Sequence, residues 1–156
     1  MRWLWIDNII AFCRGRSASA IKNISLAEEY LHDPFTGVPV MPPSLIIEGV
    51  AQTAGILVGH MEDFKKNVVL AKIRSAEFTS IAVGGDQLRY DVQIESGDER
   101  AVLTNGQIFK NGVAMGQATL MFSLLGEEGT AMGLPGHNFV FDGRFMDILA
   151  KMIPNA

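Results

Sequence analysis

Hydrophobic and polar positions divide the chain into alternating segments and one continuous apolar run. Residues 87–95 alternate strictly, which predicts a strand whose buried face carries Leu88, Tyr90, Val92 and Ile94. Residues 43–60 are apolar on nearly every side and begin with a proline, which the first turn of a helix tolerates because the N–H it lacks has no partner there. The apolar run therefore predicts a long central helix that is covered by other structure.

The other segments favour β-structure on both sides of that helix. The strand candidates, rich in apolar and β-branched residues, are residues 3–12, 17–26, 68–78, 101–109 and 113–125. Asn111 and Gly112 separate the last two and predict a tight hairpin. Residues 26–32 have room for one helical turn, and residues 33–40, with two prolines and a glycine, predict a loop. This order predicts an α+β fold in which an antiparallel sheet wraps around the long central helix.

The chain after residue 125 differs from what precedes it. Residues 126–137 contain four glycines and a proline, which predicts a loop. Apolar side chains then recur at helical spacing and predict a short amphipathic helix: Phe141, Phe145, Ile148 and Met152. We expect one domain over residues 1–125, with residues 126–156 packed on it. A lid or a partner-binding helix is the alternative role for this tail.

Composition narrows the class of protein. Hydrophobic residues make up 48% of the 156 positions, enough for a real core, and the formal net charge of -4 argues against a nucleic-acid partner. Cys13, as the single cysteine, has no disulfide partner, so we expect it to be a small buried residue in a reducing compartment. The N-terminus does not follow the signal-peptide pattern, and the apolar segment 45–58 is shorter than the roughly 20 residues of a membrane span. A cytoplasmic protein with no membrane contact is expected.

A row of polar residues interrupts the apolar helix. Ser44, Glu48 and Gln52 are four residues apart, so they lie along one helix face. A carboxylate is costly to bury without partners, so the row must face either a satisfied internal network or a polar cleft. The first alternative is structural. In the second, Glu48 is a partly buried carboxyl group suited to acid–base chemistry, next to a helix start that can polarise a carbonyl oxygen.

The sequence around this row resembles the β-hydroxyacyl-acyl-carrier-protein dehydratase family. Residues 37–52, GVPVMPPSLIIEGVAQ, are similar to the family signature written roughly HFPGxPVMPGxLxxEAxAQ. The segments WLWIDNII, AIKNISLAEEY, VGGDQLRYDVQI and ATLMFSLL look like other strands of the family, in the same order. The resemblance covers about residues 3–125.

The resemblance implies a fold, an assembly and a reaction. It implies a hotdog fold and a homodimer or higher homo-oligomer, with acyl clefts between subunits. In the family a histidine removes a proton from C2 of a β-hydroxyacyl thioester, and a helix carboxylate helps to expel the C3 hydroxyl as water. A backbone N–H at the helix start holds the thioester carbonyl. The resemblance implies no metal and no other cofactor, and an acyl carrier protein or coenzyme A as the carrier.

Two positions of the signature are chemically altered in this chain. Glu48 and Gln52 match the family's helix carboxylate and glutamine, but Pro34 stands where the family has its histidine. Pro43 stands at the usual glycine and has no N–H to donate to the thioester carbonyl. The nearest substitute base is His32, since a histidine can accept a proton near neutral pH, and the Ser44 N–H is the nearest substitute donor.

Three functions stay open from the sequence. The first is a (3R)-hydroxyacyl-acyl-carrier-protein dehydratase-like protein, weak or inactive, using Glu48 and His32. Ser44 and Gln52 would then bind substrate, with Val40 and Met41 at the cleft entrance. The second is an acyl thioesterase in which Glu48 activates water. The third is a non-catalytic subunit that binds acyl thioesters or acyl carrier protein, paired with an active homologue.

Overall fold

The protein's structure, a computed structural model, describes residues 4–32, 37–126, 133, 140–141 and 143–153. Its strands are β1 (Asn8–Cys13), β2 (Ser17–Asn23), β3 (Asn67–Phe78), β4 (Gln87–Gly97), β5 (Ala101–Lys110) and β6 (Val113–Leu125). Its helices are α1 (Pro43–Met61), α2 (Gly143–Met152) and a short 3-10 helix, Glu29–His32. The six described strands form one antiparallel sheet in the order β1-β2-β4-β5-β6-β3, so β1 and β3 are its edges.

The sheet wraps around α1, as the α+β expectation required. Eleven of the nineteen residues of α1 are buried, and the helix contacts β2, β3, β4, β5 and β6. Among the described helices α1 alone is long and apolar enough to cross a membrane, but 61% of its most apolar window is buried inside the protein. Its apolar character is therefore explained by its place as the core helix of the domain.

Both ends of α1 are fixed by their sequence. Pro42 is the N-cap and Pro43 the first helical residue, where a missing N–H removes no intrahelical bond. At the other end the N–H of Phe64 donates to the carbonyl of Gly59 at 2.8 Å. Arg14, in the β1–β2 turn, then pairs with Asp63 at 2.6 Å and joins this end of the helix to the sheet.

The strand predictions after the helix are confirmed almost to the residue. On β4 the side chains of Leu88, Tyr90 and Val92 are buried, and those of Gln87, Gln93 and Glu95 are exposed. Between β5 and β6, Asn111 and Gly112 have φ angles of 50° and 83°, which the predicted two-residue hairpin turn requires.

The structure corrects the prediction at several places, and β2 ends at Asn23 and not at residue 26. The N-terminal strand begins at Asn8, not at residue 3, because the Trp5 N–H donates to a side chain of α1 and not to a neighbouring strand. Cys13 is exposed, because it lies at the end of an edge strand. In α2 Leu149 is buried, as is Ile153 directly after the helix, while Ile148 is 38% exposed.

The remaining tail predictions fall partly outside the described structure. Phe141 is buried and precedes α2, and Met152 is partly buried against the core. The side chain of Phe145, and most of the loop over residues 126–137, lie outside the described residues. The packing of residues 126–156 as one unit on the domain therefore stays a prediction.

Candidate functional site

A cavity of about 320 Å³ lies between α1 and the sheet. One wall is a face of α1 with regular helical spacing: Glu48, Ala51, Gln52, Gly55 and Ile56. The opposite wall is apolar and comes from β3, β6 and the two chain ends: Leu4, Val68, Leu70, Phe122, Val140 and Phe141. Glu48 is the only ionisable side chain in this lining, so any charge chemistry at the described walls falls to its carboxyl group.

Gln52 fixes the position of the Glu48 carboxyl group. The backbone N–H of Trp5 donates to Gln52 Oε1 at 2.8 Å. Because an N–H can only donate, this contact sets the orientation of the amide, and Gln52 Nε2 donates to Glu48 Oε1 at 3.0 Å. Within the described residues no protein group is bonded to the second oxygen, Glu48 Oε2. One carboxyl oxygen of Glu48 is thus held by Gln52.

The segment before α1 is held against the loop that precedes β4. The N–H of Met41 donates to the carbonyl of Ala82 at 2.8 Å, and Val40 forms an isolated antiparallel bridge with Val83. Met41 is buried and Val40 half-buried, and neither lines the cavity. Their predicted place at a cleft entrance stays a prediction.

Ser44 is exposed at the start of α1 and also lies outside the cavity lining. Leu45 and Ile46 both donate to the carbonyl of Pro42, at 2.9 and 3.3 Å. Within the described residues no carbonyl or side chain accepts a hydrogen bond from the Ser44 N–H. The first backbone N–H that α1 can offer to a ligand is therefore that of Ser44, since Pro43 before it has none.

His32 ends the 3-10 helix and is exposed, with its Nε2 at 2.9 Å from the carbonyl oxygen of Leu26. A carbonyl only accepts, so this contact favours the tautomer with the proton on Nε2 and the lone pair on Nδ1. The ring does not line the cavity. The structure thus brings Glu48 and Gln52 together and leaves His32 apart from them within one protomer. Pro34 lies outside the described residues.

A partly buried ion-pair network centred on Lys22 holds the segment that carries His32. Lys22 is buried, and its ammonium group lies 2.8 Å from Glu28 and 3.4 Å from Asp7. Burial lowers the pKa of Lys22, but the hydrogen bond to Glu28 and the charge of Asp7 outweigh this effect and the pKa is raised. Lys22 therefore stays charged and fixes Glu28, four residues before His32.

Two tyrosines, Tyr30 in the 3-10 helix and Tyr90 in β4, have buried hydroxyl groups. The hydroxyl groups of Tyr30 and Tyr90 are buried, and no group of the described residues accepts or donates a hydrogen bond to them. Burial raises the pKa of Tyr30 to about 12, with the charges of Glu28 and Asp7 adding to the effect, and burial also raises the pKa of Tyr90. Both side chains are therefore neutral phenols at physiological pH.

The sequence pattern missed most of the cavity wall. Gln52 and Glu48 follow from their spacing on α1, and the same spacing extends to Gly55. The contributions of Val68 and Phe122 come from strands that are distant in sequence, so no local pattern could place them beside Glu48.

Solved structures with this architecture define the class of fold. The dehydratase heterocomplex ApeI:P from Xenorhabdus doucetiae matches with a TM-score of 0.68 and 15% identity, over 83% of this chain and 88% of that one. A hypothetical thioesterase protein with coenzyme A from Streptococcus pneumoniae matches with a TM-score of 0.60 and 11% identity, over 74% and 86%. The sheet order and the enclosed helix are those of the hotdog fold, as expected.

Sequence similarity then identifies the family. The model of the FabA-like domain matches residues 2–130. The 3-hydroxyacyl-(acyl-carrier-protein) dehydratase FabZ of Pelotomaculum thermopropionicum is 34% identical over 123 residues, which are 78% of this chain and 88% of that protein. The FabZ of a Thermoanaerobacter species is 35% identical over 128 residues, 81% and 89% of the two chains. This chain belongs to the FabA-like family, which confirms the resemblance read from its motifs.

Proposed function

We propose that the protein is a dehydratase-like protein that binds acyl thioesters of fatty-acid-type metabolism in the Glu48 cavity. The observation that carries this proposal is the single carboxyl group in an otherwise mostly apolar wall, with one of its oxygens held by Gln52. An apolar cavity of this kind suits an acyl chain, and a few fixed polar groups orient the reactive end. The relatives named FabZ support the substrate class.

Glu48 has the chemistry for one half of a dehydration. Removing water from a β-hydroxyacyl thioester requires a base for the C2 proton and an acid that protonates the leaving C3 hydroxyl. Glu48 lines the cavity, so its carboxyl group would exchange a proton with a hydroxyl group or a water bound there. The groups for removing the C2 proton are missing at their usual positions, because Pro34 cannot accept a proton and Pro43 has no N–H to donate to the thioester carbonyl. We infer weak catalysis, with His32 and the Ser44 N–H as the nearest substitutes, or binding without turnover.

Glu48→Gln tests the proposal directly. Glutamine keeps the shape of the side chain and the contact with Gln52 but cannot exchange a proton. We expect hydration of crotonyl coenzyme A, the reverse reaction, to fall at least about a hundredfold from the parent rate. Binding of the thioester, measured by calorimetry, should change far less.

Glu95→Gln is the matched control, because Glu95 is an exposed carboxylate on β4 far from the lining of the cavity. It should leave both measurements unchanged. A parent that binds no acyl thioester would contradict the proposal. So would equal activity in the parent and the Glu48→Gln variant.

A non-catalytic subunit is the second candidate, and one comparison favours it. The solved structure of ApeI:P is described as a dehydratase heterocomplex, so a chain of this fold can work beside a second, different chain. Such a partner would supply the histidine that this chain lacks at position 34. Under this account the protein alone binds thioesters without turnover, and mixing it with an active homologue yields a heterodimer with restored activity. The thioesterase alternative is distinguished by its products, a free acid and a free thiol.

Strand β3 is the surface on which we propose that two copies associate. It is an edge strand of twelve residues, and residues 70–75 are all exposed, including Leu70 and Ile73. A long, partly apolar edge without proline is a template for pairing with another strand. Val68 and Leu70 of the same strand line the cavity, so a second copy would lie at the margin of the site.

Ile73→Lys tests this edge, because a charge on the paired face disfavours association. We expect the dimer dissociation constant to rise at least about tenfold, measured by analytical ultracentrifugation. Ile10→Lys is the matched control, since Ile10 and Ile73 are each 46% exposed, on opposite edges of the sheet. A monomeric parent, or an equal effect of both substitutions, would contradict the proposal.

The carrier of the acyl chain and the cellular compartment are also part of the proposed function. We propose that the acyl chain arrives on an acyl carrier protein or on coenzyme A, that no cofactor takes part, and that the protein works in the cytoplasm.

A further inference from the structure

The cavity follows a single row along α1. Glu48, Gln52 and Gly55 are spaced by four and three residues, and the next member of the row is Gly59. At 1.5 Å per residue, Gly55 lies about 10 Å and Gly59 about 16 Å along the axis from Glu48. A chain that starts at the Glu48 carboxyl group and follows this row therefore reaches Gly59 next.

Phe141 occupies that point. A Cβ placed on Gly59 would lie 2.8 Å from Cε2 and 2.9 Å from Cζ of Phe141, so the ring rests directly on the helix backbone. The same ring lines the cavity. It is buried and packs edge-on against Phe64, with ring centroids 4.9 Å apart. Gly59 thus leaves space on α1 that the rings of Phe141 and Phe64 fill, at the end of the row opposite to Glu48, and of these two rings Phe141 lines the cavity.

The segment that carries Phe141 is anchored independently of the cavity. Val140, next to it, also lines the cavity. Two residues later α2 begins. It contacts β1 and buries Leu149 in the hydrophobic core, where Ile153, directly after the helix, is buried too. Residues 140–153 lie beyond the part of the chain that matches the FabA-like domain, which ends at residue 130. The end of the cavity is therefore built by a part of this chain outside the family match.

We propose that Phe141 is the end wall of the acyl-binding cavity and sets the longest acyl chain the protein accepts. The inference rests on the proposed function for the identity of the ligand, but the wall itself is a property of the cavity. The substrates accepted are short to medium linear acyl groups whose apolar end abuts the Phe141 ring. Removing the ring joins the space above Gly59 to the cavity and admits longer chains.

The experiment measures chain-length limits in two ligand series. One series is saturated acyl coenzyme A thioesters of increasing length, with binding measured by calorimetry. The other is linear primary alcohols, followed by the shift in thermal unfolding temperature. The variants are Phe141→Ala and Phe141→Leu, and the leucine variant keeps an apolar filler should the alanine variant not fold. Gly59→Ala presses on the Phe141 ring, and on the Phe64 ring beside it, without changing Phe141 itself. Phe12→Ala is the control. Phe12 packs at a tilt against His60, with ring centroids 5.0 Å apart, and His60 packs on Phe64, but Phe12 does not line the cavity.

The expected result is a longer limit in both series for Phe141→Ala, a smaller extension for Phe141→Leu, and a changed limit for Gly59→Ala. Preference for the longer over the shorter homologue should shift by at least about tenfold, the usual scale for a methylene group in a hydrophobic pocket. Phe12→Ala should leave both limits unchanged.

The outcomes separate this inference from the proposed function. Limits that do not move in the Phe141 variants, or that move equally in Phe12→Ala, overturn the end wall even if thioesters bind. Alcohols that bind with a moved limit, in a protein that binds no thioester, support the wall and contradict the proposed function alone. A parent that binds neither series overturns both.

Discussion

Pro34→His combined with Pro43→Gly is expected to raise the hydration of crotonyl coenzyme A by at least about a hundredfold over the parent. A general base contributes typically about 10²- to 10⁴-fold, and a backbone donor to a developing oxyanion contributes on the order of 3 kcal/mol. The two substitutions restore both groups at the positions where the FabA-like signature has them. Glu48 and its contact with Gln52 remain in place to work with them. Steady-state rates of hydration at neutral pH measure the gain.

Two further variants measure how much Glu48 and His32 each contribute to the hydration rate. Glu48→Gln in the double variant should abolish the gain, because the restored histidine then lacks its acid partner. His32→Ala in the parent should remove whatever activity exists if His32 is the substitute base, and should have no effect if it is a bystander. A parent that already turns over on the order of 10 times per second would refute the account of the altered loop.

Gly49→Ala is expected to lower the free energy of unfolding by about 1–3 kcal/mol, the usual cost of overpacking a core. A Cβ on Gly49 would lie 2.5 Å from Cζ and 2.6 Å from the hydroxyl oxygen of Tyr90. Tyr90 is fully buried in β4, so its ring cannot turn away into solvent. Urea unfolding followed by circular dichroism measures the difference, with an unchanged m value as the sign of a two-state comparison.

Gly55→Ala is the matched control on the same helix. The nearest atom to its Cβ would be Cε1 of Phe122 at 4.0 Å, an ordinary contact. Alanine then raises stability by up to about 1 kcal/mol, because glycine is the poorer helix former. A double variant of Gly49→Ala with Tyr90→Leu should recover part of the loss. Equal destabilisation by the two glycine substitutions would show that the close approach of Tyr90 is not the cause.

Local sequence patterns determined the elements of this fold. The alternation over β4, the Asn111–Gly112 turn and the proline start of α1 each act over a few residues, so the sequence alone placed them within one or two positions. The same holds for the pair of Glu48 and Gln52, because four-residue spacing on a helix is a local property.

Tertiary contacts decided what the local pattern could not. Apolar character extended the first predicted strand back to residue 3, but β1 begins at Asn8 because Gln52 takes the Trp5 N–H. Cys13 reads as a core residue by type and is exposed because its strand is a sheet edge. In α2 both Ile148 and Leu149 fit the apolar face of an amphipathic helix. Leu149 is the one that is buried, because of how the helix lies on the core.

The candidate site also has one part that the sequence predicted and one part that only the tertiary structure shows. The sequence alone identified the Glu48 carboxyl group, the Gln52 amide and the two altered signature positions, Pro34 and Pro43. All four lie within the nineteen residues 34–52. The apolar wall was not identified in this way, because Val68 and Phe122 lie 54 residues apart on different strands, Phe141 lies beyond the last strand, and the three meet only when the chain packs around α1. Chemistry at this site follows from local sequence, whereas the shape of the space in which it acts depends on long-range packing.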